Sequence, residues 1–158
     1  MPDDAAEAAK RPHISDATLR GLVGYNMKRA FMAVSADLAR TLAPFDLRML
    51  TFTALTLVAD NPGLSQSQLA QAMTVERPNL VVIVDELETR GLITRDRVPT
   101  DRRTYALRIT VEGARLLAGA ARAVGAHENL MMGGLAKAEE AALISTLNRI
   151  EASGKGRS

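Results

Sequence analysis

Cysteine is absent from the 158 residues, which excludes disulfides, thiolate metal sites and thiol redox sensing. Histidine is nearly absent: His13 and His127 are too few for a histidine-rich metal centre. Aromatics are scarce, with three phenylalanines, two tyrosines and no tryptophan. The core must then be built from Leu, Val, Ile, Met and Ala, a palette that favours packed helices. No apolar run approaches the ~18 residues of a membrane span, and the first residues lack a secretory signal's apolar stretch. A cytoplasmic protein with no membrane partner, metal or cofactor is expected. Catalytic groupings are missing as well. There are no paired carboxylates in an apolar setting, no Ser/His/Asp arrangement and no phosphate-cradling glycine loop. Gly113, Gly119 and Gly125 are spaced along a predicted helix instead, so an enzyme is not expected.

Net charge is also small, +2, and argues for nothing by itself. Its distribution says more. Residues 91–110 carry Arg95, Arg97, Arg102, Arg103 and Arg108 against only Asp96 and Asp101. Positive charge gathered on one short element is the footprint of an electrostatic contact with DNA.

Taken in order, residues 1–13 read as a disordered tail, being polar, Ala-rich and Pro-punctuated. Ser15 and Asp16 offer caps for a first helix over about 16–41. Leu19, Val23, Met27, Phe31, Val34 and Leu38 recur on it at helical steps. A second helix over about 46–59 turns Leu47, Leu50, Ala54, Leu57 and Val58 inward, and Asn61-Pro62-Gly63 stops it. Ser65-Gln66-Ser67-Gln68 matches a capping box that opens a short helix. Met73-Thr74-Val75 make a turn. A helix over about 76–90 then buries Leu80, Ile83, Val84 and Leu87, with Pro78 in its first turn and Gly91 as its left-handed cap. Residues 92–97 and 104–109 read as two strands joined by a turn over 98–103, with Tyr105, Leu107 and Ile109 on one face. Thr110 caps a long helix over about 111–133. Gly119 and Gly125 within it suggest the close approach of another helix. A last helix over about 137–151 turns Leu143, Ile144, Leu147 and Ile150 inward, and 153–158 read as a loose tail.

Two short helices followed by a basic hairpin make a winged helix-turn-helix, a device for holding duplex DNA. The fold class expected is mainly α with a small β-hairpin wing. One domain is expected over 14–152, with a winged lobe at 42–110 and helical arms at 14–41 and 111–152. The arms carry more apolar surface than so small a lobe can cover. A twofold homodimer with interdigitated arms resolves this. It would present two reading helices roughly 34 Å apart to a near-palindromic operator.

Three segments in order resemble MarR-type (multiple antibiotic resistance regulator) transcription factors: PGLSQSQLAQAM from Pro62, VERPNLVVIVDELETRGLI from Val75 and RDRVPTDRRTYALRIT from Arg95. The resemblance extends over roughly 15–152. It implies a homodimeric winged helix-turn-helix regulator of double-stranded DNA. Such a protein is usually a repressor, released by a small aromatic acid or phenolic effector. There are departures. Val81 and Val82 stand where such reading helices usually carry small polar or basic residues, and Glu86 stands where a base is common. Residues 76–90 hold two Arg against four acidic groups. This helix cannot be held on DNA by its own charge. The alternative it raises is a winged-helix module that binds protein.

Phosphate contacts supply affinity and base contacts supply specificity. Arg77 and Asn79 suit base edges, guanine and adenine respectively, and Val82 suits a thymine methyl. The alternatives are a phosphate clamp for Arg77 and a solvated position for Asn79. Ser65, Ser67 and Gln68 sit at a helix N-terminus suited to a phosphate, although simple capping also explains Ser65. Arg103, at the wing tip, can enter a narrow minor groove, a role the resemblance supports. Asp101 would orient it, while Arg95, Arg97 and Arg102 are backbone-contact candidates. The resemblance places an effector cleft between arms and lobe, near Tyr25, Arg29, Arg40, Arg48 and Phe52. Arginine beside aromatic rings would suit an aromatic carboxylate there.

Overall fold

The computed structural model describes residues 14–98 and 101–155, with backbone alone at 98, 101–104 and 155. The expected tail at 1–13 lies outside the described residues, as do 156–158. The elements are α1 (Ala17–Arg20), α2 (Val23–Leu42), a 3-10 turn (Ala43–Phe45), α3 (Met49–Asp60), β1 (Leu64–Ser65) and α4 (Gln66–Met73). They continue with α5 (Arg77–Thr89), β2 (Ile93–Val98), β3 (Asp101–Ile109), α6 (Val111–Met131) and α7 (Lys137–Lys155). The expected loose end at 153–155 is thus helical. Among the described residues no single helix is long and apolar enough to cross a membrane. The chain falls into two compact units that meet in sequence at Val34 and Ser35.

In the first unit the expected continuous helix is broken at Gly21 and Leu22. The Asn26 side-chain amide donates to the carbonyls of Arg20 and Leu22, both at 2.8 Å, and so ties the two sides of the interruption together; the Leu22 carbonyl also accepts the Asn26 backbone N–H at 3.2 Å. Leu22, Val23, Phe31 and Met32 of this unit are exposed.

The second unit holds the winged lobe. Its sheet has the order β1-β3-β2, all antiparallel. Strand β1 was not expected; it is two residues long and pairs Leu64 with Leu107 and Ser65 with Ala106. Around this sheet a core forms from Leu55 and Val58 of α3, Leu69 of α4, Leu80, Ile83, Val84 and Leu87 of α5, and Leu92, Ile93 and Leu107. A second cluster joins Leu42, Leu47 and Ala120, with Leu38, Phe45, Phe52, Leu116 and Val124 packed against it.

Helix α3 starts three residues later than expected, because Asp46 adopts a left-handed conformation (φ 52°) and only Met49 begins the helix. The inner face shifts as a result: Leu55 is buried while Leu50 is exposed. The Ser65 cap forms as predicted. Its Oγ accepts from the Gln68 N–H at 3.2 Å, and Gln68 Oε1 accepts from the Ser65 N–H at 2.9 Å. Thr110 likewise caps α6, accepting from the Gly113 N–H at 2.9 Å. Gly91 takes the left-handed conformation required of it (φ 67°).

Two expectations about packing need correction. Gly119 does leave room for a neighbour, but the neighbour is the Phe45 ring of the 3-10 turn rather than a helix, and Gly125 faces open space. The row on α7 at Leu143, Ile144, Leu147 and Ile150 is exposed in the single chain, not buried within it.

Candidate nucleic-acid interface

The two short helices meet at a tight turn. Thr74 closes α4 in the left-handed region (φ 54°), an uncommon place for a β-branched residue. Its N–H and that of Val75 return to the carbonyls of Gln71 and Ala70, so the turn is fully bonded. Helix α5 then begins with Arg77 and Pro78, where the missing N–H of proline costs nothing. Its buried side takes Leu80, Ile83, Val84 and Leu87, which leaves Arg77, Asn79, Val81 and Val82 exposed.

A cleft of about 360 Å³ opens where the N-terminus of α4, the first turns of α5 and the middle of β3 converge. Ser65, Gln66, Ser67, Arg77, Val81 and Tyr105 line it above Leu80. The Ser65 hydroxyl donates to Gln68 Oε1 within the cap, so the Ser67 hydroxyl, a guanidinium, a phenol and the free N–H groups of a helix start share one concave surface, a donor set suited to a phosphate. Tyr105 shares a strand face with buried Leu107, as expected, and lies two residues further toward the tip, at the rim of the core. Gln68, by contrast, spends its side chain on the Ser65 cap.

The acidic half of α5 is neutralised from within. Asp85 and Glu88 both pair with Arg95 of β2, Glu88 at 2.9 Å. Glu86 pairs with Arg48, which precedes α3. At the C-terminal end Arg90 donates to the carbonyls of Asp46, at 2.5 Å, and Phe45, at 3.1 Å. The four acidic groups counted in this segment therefore do not present a bare negative face; Glu76 alone belongs to its N-terminal end. Arg95, expected on a DNA phosphate, is instead occupied by α5.

Strand β3 of the wing is longer than expected. Arg97 pairs with Tyr105 and Val98 with Asp101, so the register skips 102–104 at a bulge. Arg102 and Arg103 lie on this irregular part of β3 rather than in a six-residue turn. Bulges of this kind increase twist and redirect side chains at a strand end. The side chains of Asp101, Arg102 and Arg103 lie outside the described residues. Arg97 is exposed, and Arg108 pairs with Asp96 at 3.1 Å.

The five expected effector residues are divided between the two units. In the first unit the Tyr25 hydroxyl donates to Asp16 at 2.7 Å, and Arg20 lies over the ring at 5.5 Å. The hydrogen bond with Asp16 raises the Tyr25 pKa, and the same bond, with Arg20 nearby, holds the Asp16 carboxyl below its usual range. Arg29 is exposed. In the second unit Arg40 pairs with Asp37, Phe52 packs in the second core, and Arg48 holds Glu86. Of these, Arg48 lines a groove of about 360 Å³ with Ser35, Ala39, Leu47, Met49 and Glu86.

Fold and site together define a winged helix-turn-helix protein that binds DNA. The MarR family profile matches residues 47–105, the lobe that carries this surface. A protein of Thauera aromatica, described as a proposed transcriptional regulator of the hcr operon, is 38% identical over 134 residues, 84% of this chain and 81% of that one. The chain belongs to the MarR family and is a DNA-binding transcriptional regulator. Among solved structures, the transcriptional repressor CouR bound to a 23-mer DNA duplex superposes with a TM-score of 0.85 at 36% identity, covering 89% of this chain and 99% of that one. CouR of Rhodococcus jostii RHA1 bound to p-coumaroyl-CoA does so at 0.77 and 31%, covering 86% and 95%. MarR of E. coli, at 21% identity, a TM-score of 0.71 and coverage of 82% and 96%, shares the fold.

Proposed function

We propose that this chain is a cytoplasmic, non-enzymatic repressor that grips a near-palindromic operator as a homodimer and lets go when an aromatic or phenolic acid, free or as its thioester, binds. The observation that carries the DNA part is the cleft in which Ser65, Ser67, Arg77 and Tyr105 converge beside exposed Asn79 and Val82. A phosphate seated there would bring the start of α5 onto base edges. Arg77 fits the clamp better than the base reader, because it shares the cleft with the Ser67 and Tyr105 hydroxyls. Asn79 and Val82 are left to read sequence. Arg97, Arg102 and Arg103 of the wing supply further backbone and minor-groove contacts, with Asp101 orienting Arg103. The internal neutralisation of Asp85, Glu86 and Glu88 removes the charge objection that favoured a protein-binding module.

The effector part draws on CouR, which has been solved with a DNA duplex and with p-coumaroyl-CoA. The groove beside Arg48 is a candidate seat for the acid, with Tyr25, Arg29, Arg40 and Phe52 as further candidates. An anion drawing Arg48 away from Glu86 would loosen one of the ties on α5. A ligand acts on DNA affinity only if it favours one arrangement over another, and this tie supplies such a difference.

The test is fluorescence anisotropy on a duplex selected from random sequence by the protein itself, titrated from low to high salt. The logarithm of affinity is expected to fall linearly with that of salt, by about 0.9 for each phosphate contacted. A flat response, or failure to select any duplex, overturns the reading. Addition of aromatic acyl thioesters is expected to dissociate the complex.

A further inference from the structure

Strand alternation puts Ile93, Arg95 and Arg97 on one face of β2, across from Ile109, Leu107 and Tyr105 of β3. Ile93 and Leu107 are buried in the first core, so this is the face packed on the helices. The row runs outward from a buried residue to an exposed one, with Arg95 between them. The Arg95 side chain is only 21% exposed, and its guanidinium lies between Asp85 and Glu88, one helical turn apart on α5. Its Nε is buried and has no hydrogen-bond partner among the described residues. The outer face of the wing carries a different pair, Arg108 with Asp96, which joins β3 to β2 within the sheet.

We propose that Arg95 is a positioning residue that sets the angle between the wing and the reading helix by clamping Asp85 and Glu88, and that it does not touch DNA. A planar guanidinium can engage two carboxylates at once; a lysine ammonium offers no such fork. Burial alone would weaken the Arg95 charge, but the hydrogen bond with Asp85 and the fields of Glu88 and Asp85 outweigh it, and its pKa is raised. The clamp joins the two elements that must enter adjacent grooves together. Acidic side chains on a helix that faces DNA, otherwise a liability, thereby have a use.

The inference rests on the DNA-binding reading, yet its test has a sign of its own. Replacing Asp85→Asn and Glu88→Gln together removes two negative charges from a DNA-facing helix and releases an arginine. Electrostatics alone predicts tighter binding to the selected duplex. The clamp predicts binding weaker by about tenfold, a coupling of ordinary size for a partly buried network, with affinity for calf-thymus DNA little changed. Equal or tighter binding of the selected duplex by this folded variant overturns the proposal. Should the double variant fail to fold, charge exchange decides. Arg95→Asp combined with Asp85→Arg is expected to recover affinity over Arg95→Asp alone, and no recovery overturns the clamp. If the wild-type chain selects no duplex at all, it is the DNA-binding reading that fails, before the clamp is tested.

Discussion

Arg77 and His127 show how much a single side chain's surroundings decide. Arg77→Ala is expected to weaken binding to all duplexes alike and to lower the salt slope by about one, as loss of a phosphate clamp would. Relaxed preference at one base pair, measured by repeating the selection with the variant, would return Arg77 to base reading. Asn79→Ala is the contrasting case, expected to cost about 1–3 kcal/mol at one position of the site. His127 lies on α6, its side chain 2% exposed, with Nε2 3.4 Å from Asp37 Oδ2 and neither ring nitrogen hydrogen-bonded among the described residues. Burying a polar ring without a hydrogen bond costs about 1–3 kcal/mol. His127→Leu is therefore expected to raise the melting temperature by several degrees, measured by calorimetry; a fall would reveal a partner for the ring. Nothing in the sequence marks His127 as buried or sets Asp37 beside it, since the two are brought together by packing alone.

At the scale of elements, two of the three glycines of α6, Gly113 and Gly125, carry opposite expectations. A Cβ on Gly113 would lie 2.1 Å from the Leu92 carbonyl oxygen, a backbone atom that cannot swing aside. Gly113→Ala is expected to destabilise the lobe by about 3 kcal/mol or more, because the joint between the wing and α6 must open. A Cβ on Gly125 would meet nothing within 4 Å. There alanine's better helix propensity should stabilise by about 1 kcal/mol. Chemical denaturation of both variants checks the contrast, and similar losses at both sites would contradict it. The elements themselves were largely legible. Helices α3 to α7 and the two wing strands stand close to where periodicity, caps and Gly/Pro breaks put them, because each signal acts within a few residues. The break at Gly21 was missed, since a run of apolar residues at helical spacing continues across it. Strand β1 was missed because two residues carry no period.

For the whole molecule, the unburied apolar residues matter most. Ile144 and Leu147 of α7 are 54% and 40% exposed, alongside Leu143 and Ile150, as are Val23 and Phe31 in the first unit. Rows of this kind on long helices are expected to close on a second copy of the chain. Leu147→Glu with Ile144→Glu should yield a monomer in sedimentation and lose operator binding by far more than tenfold, since two linked lobes gain from each other's attachment. The winged lobe, whose own core is elsewhere, should keep its circular dichroism. A variant that still sediments as a dimer would move the interface away from α7.

The order of helices, the capped entry to α4, the turn before α5 and a basic hairpin after it were determined by the sequence alone, and with them the class of protein. These features are written in residues adjacent along the chain. What each charge does was decided only by the tertiary structure. Arg95 meets Asp85 ten residues away, Arg48 meets Glu86 across 38, and Arg90 reaches Asp46 across 44. An arginine's long side chain pairs with whichever acid packing brings within reach, so a string of charges cannot say which ones face DNA and which brace the helix that reads it.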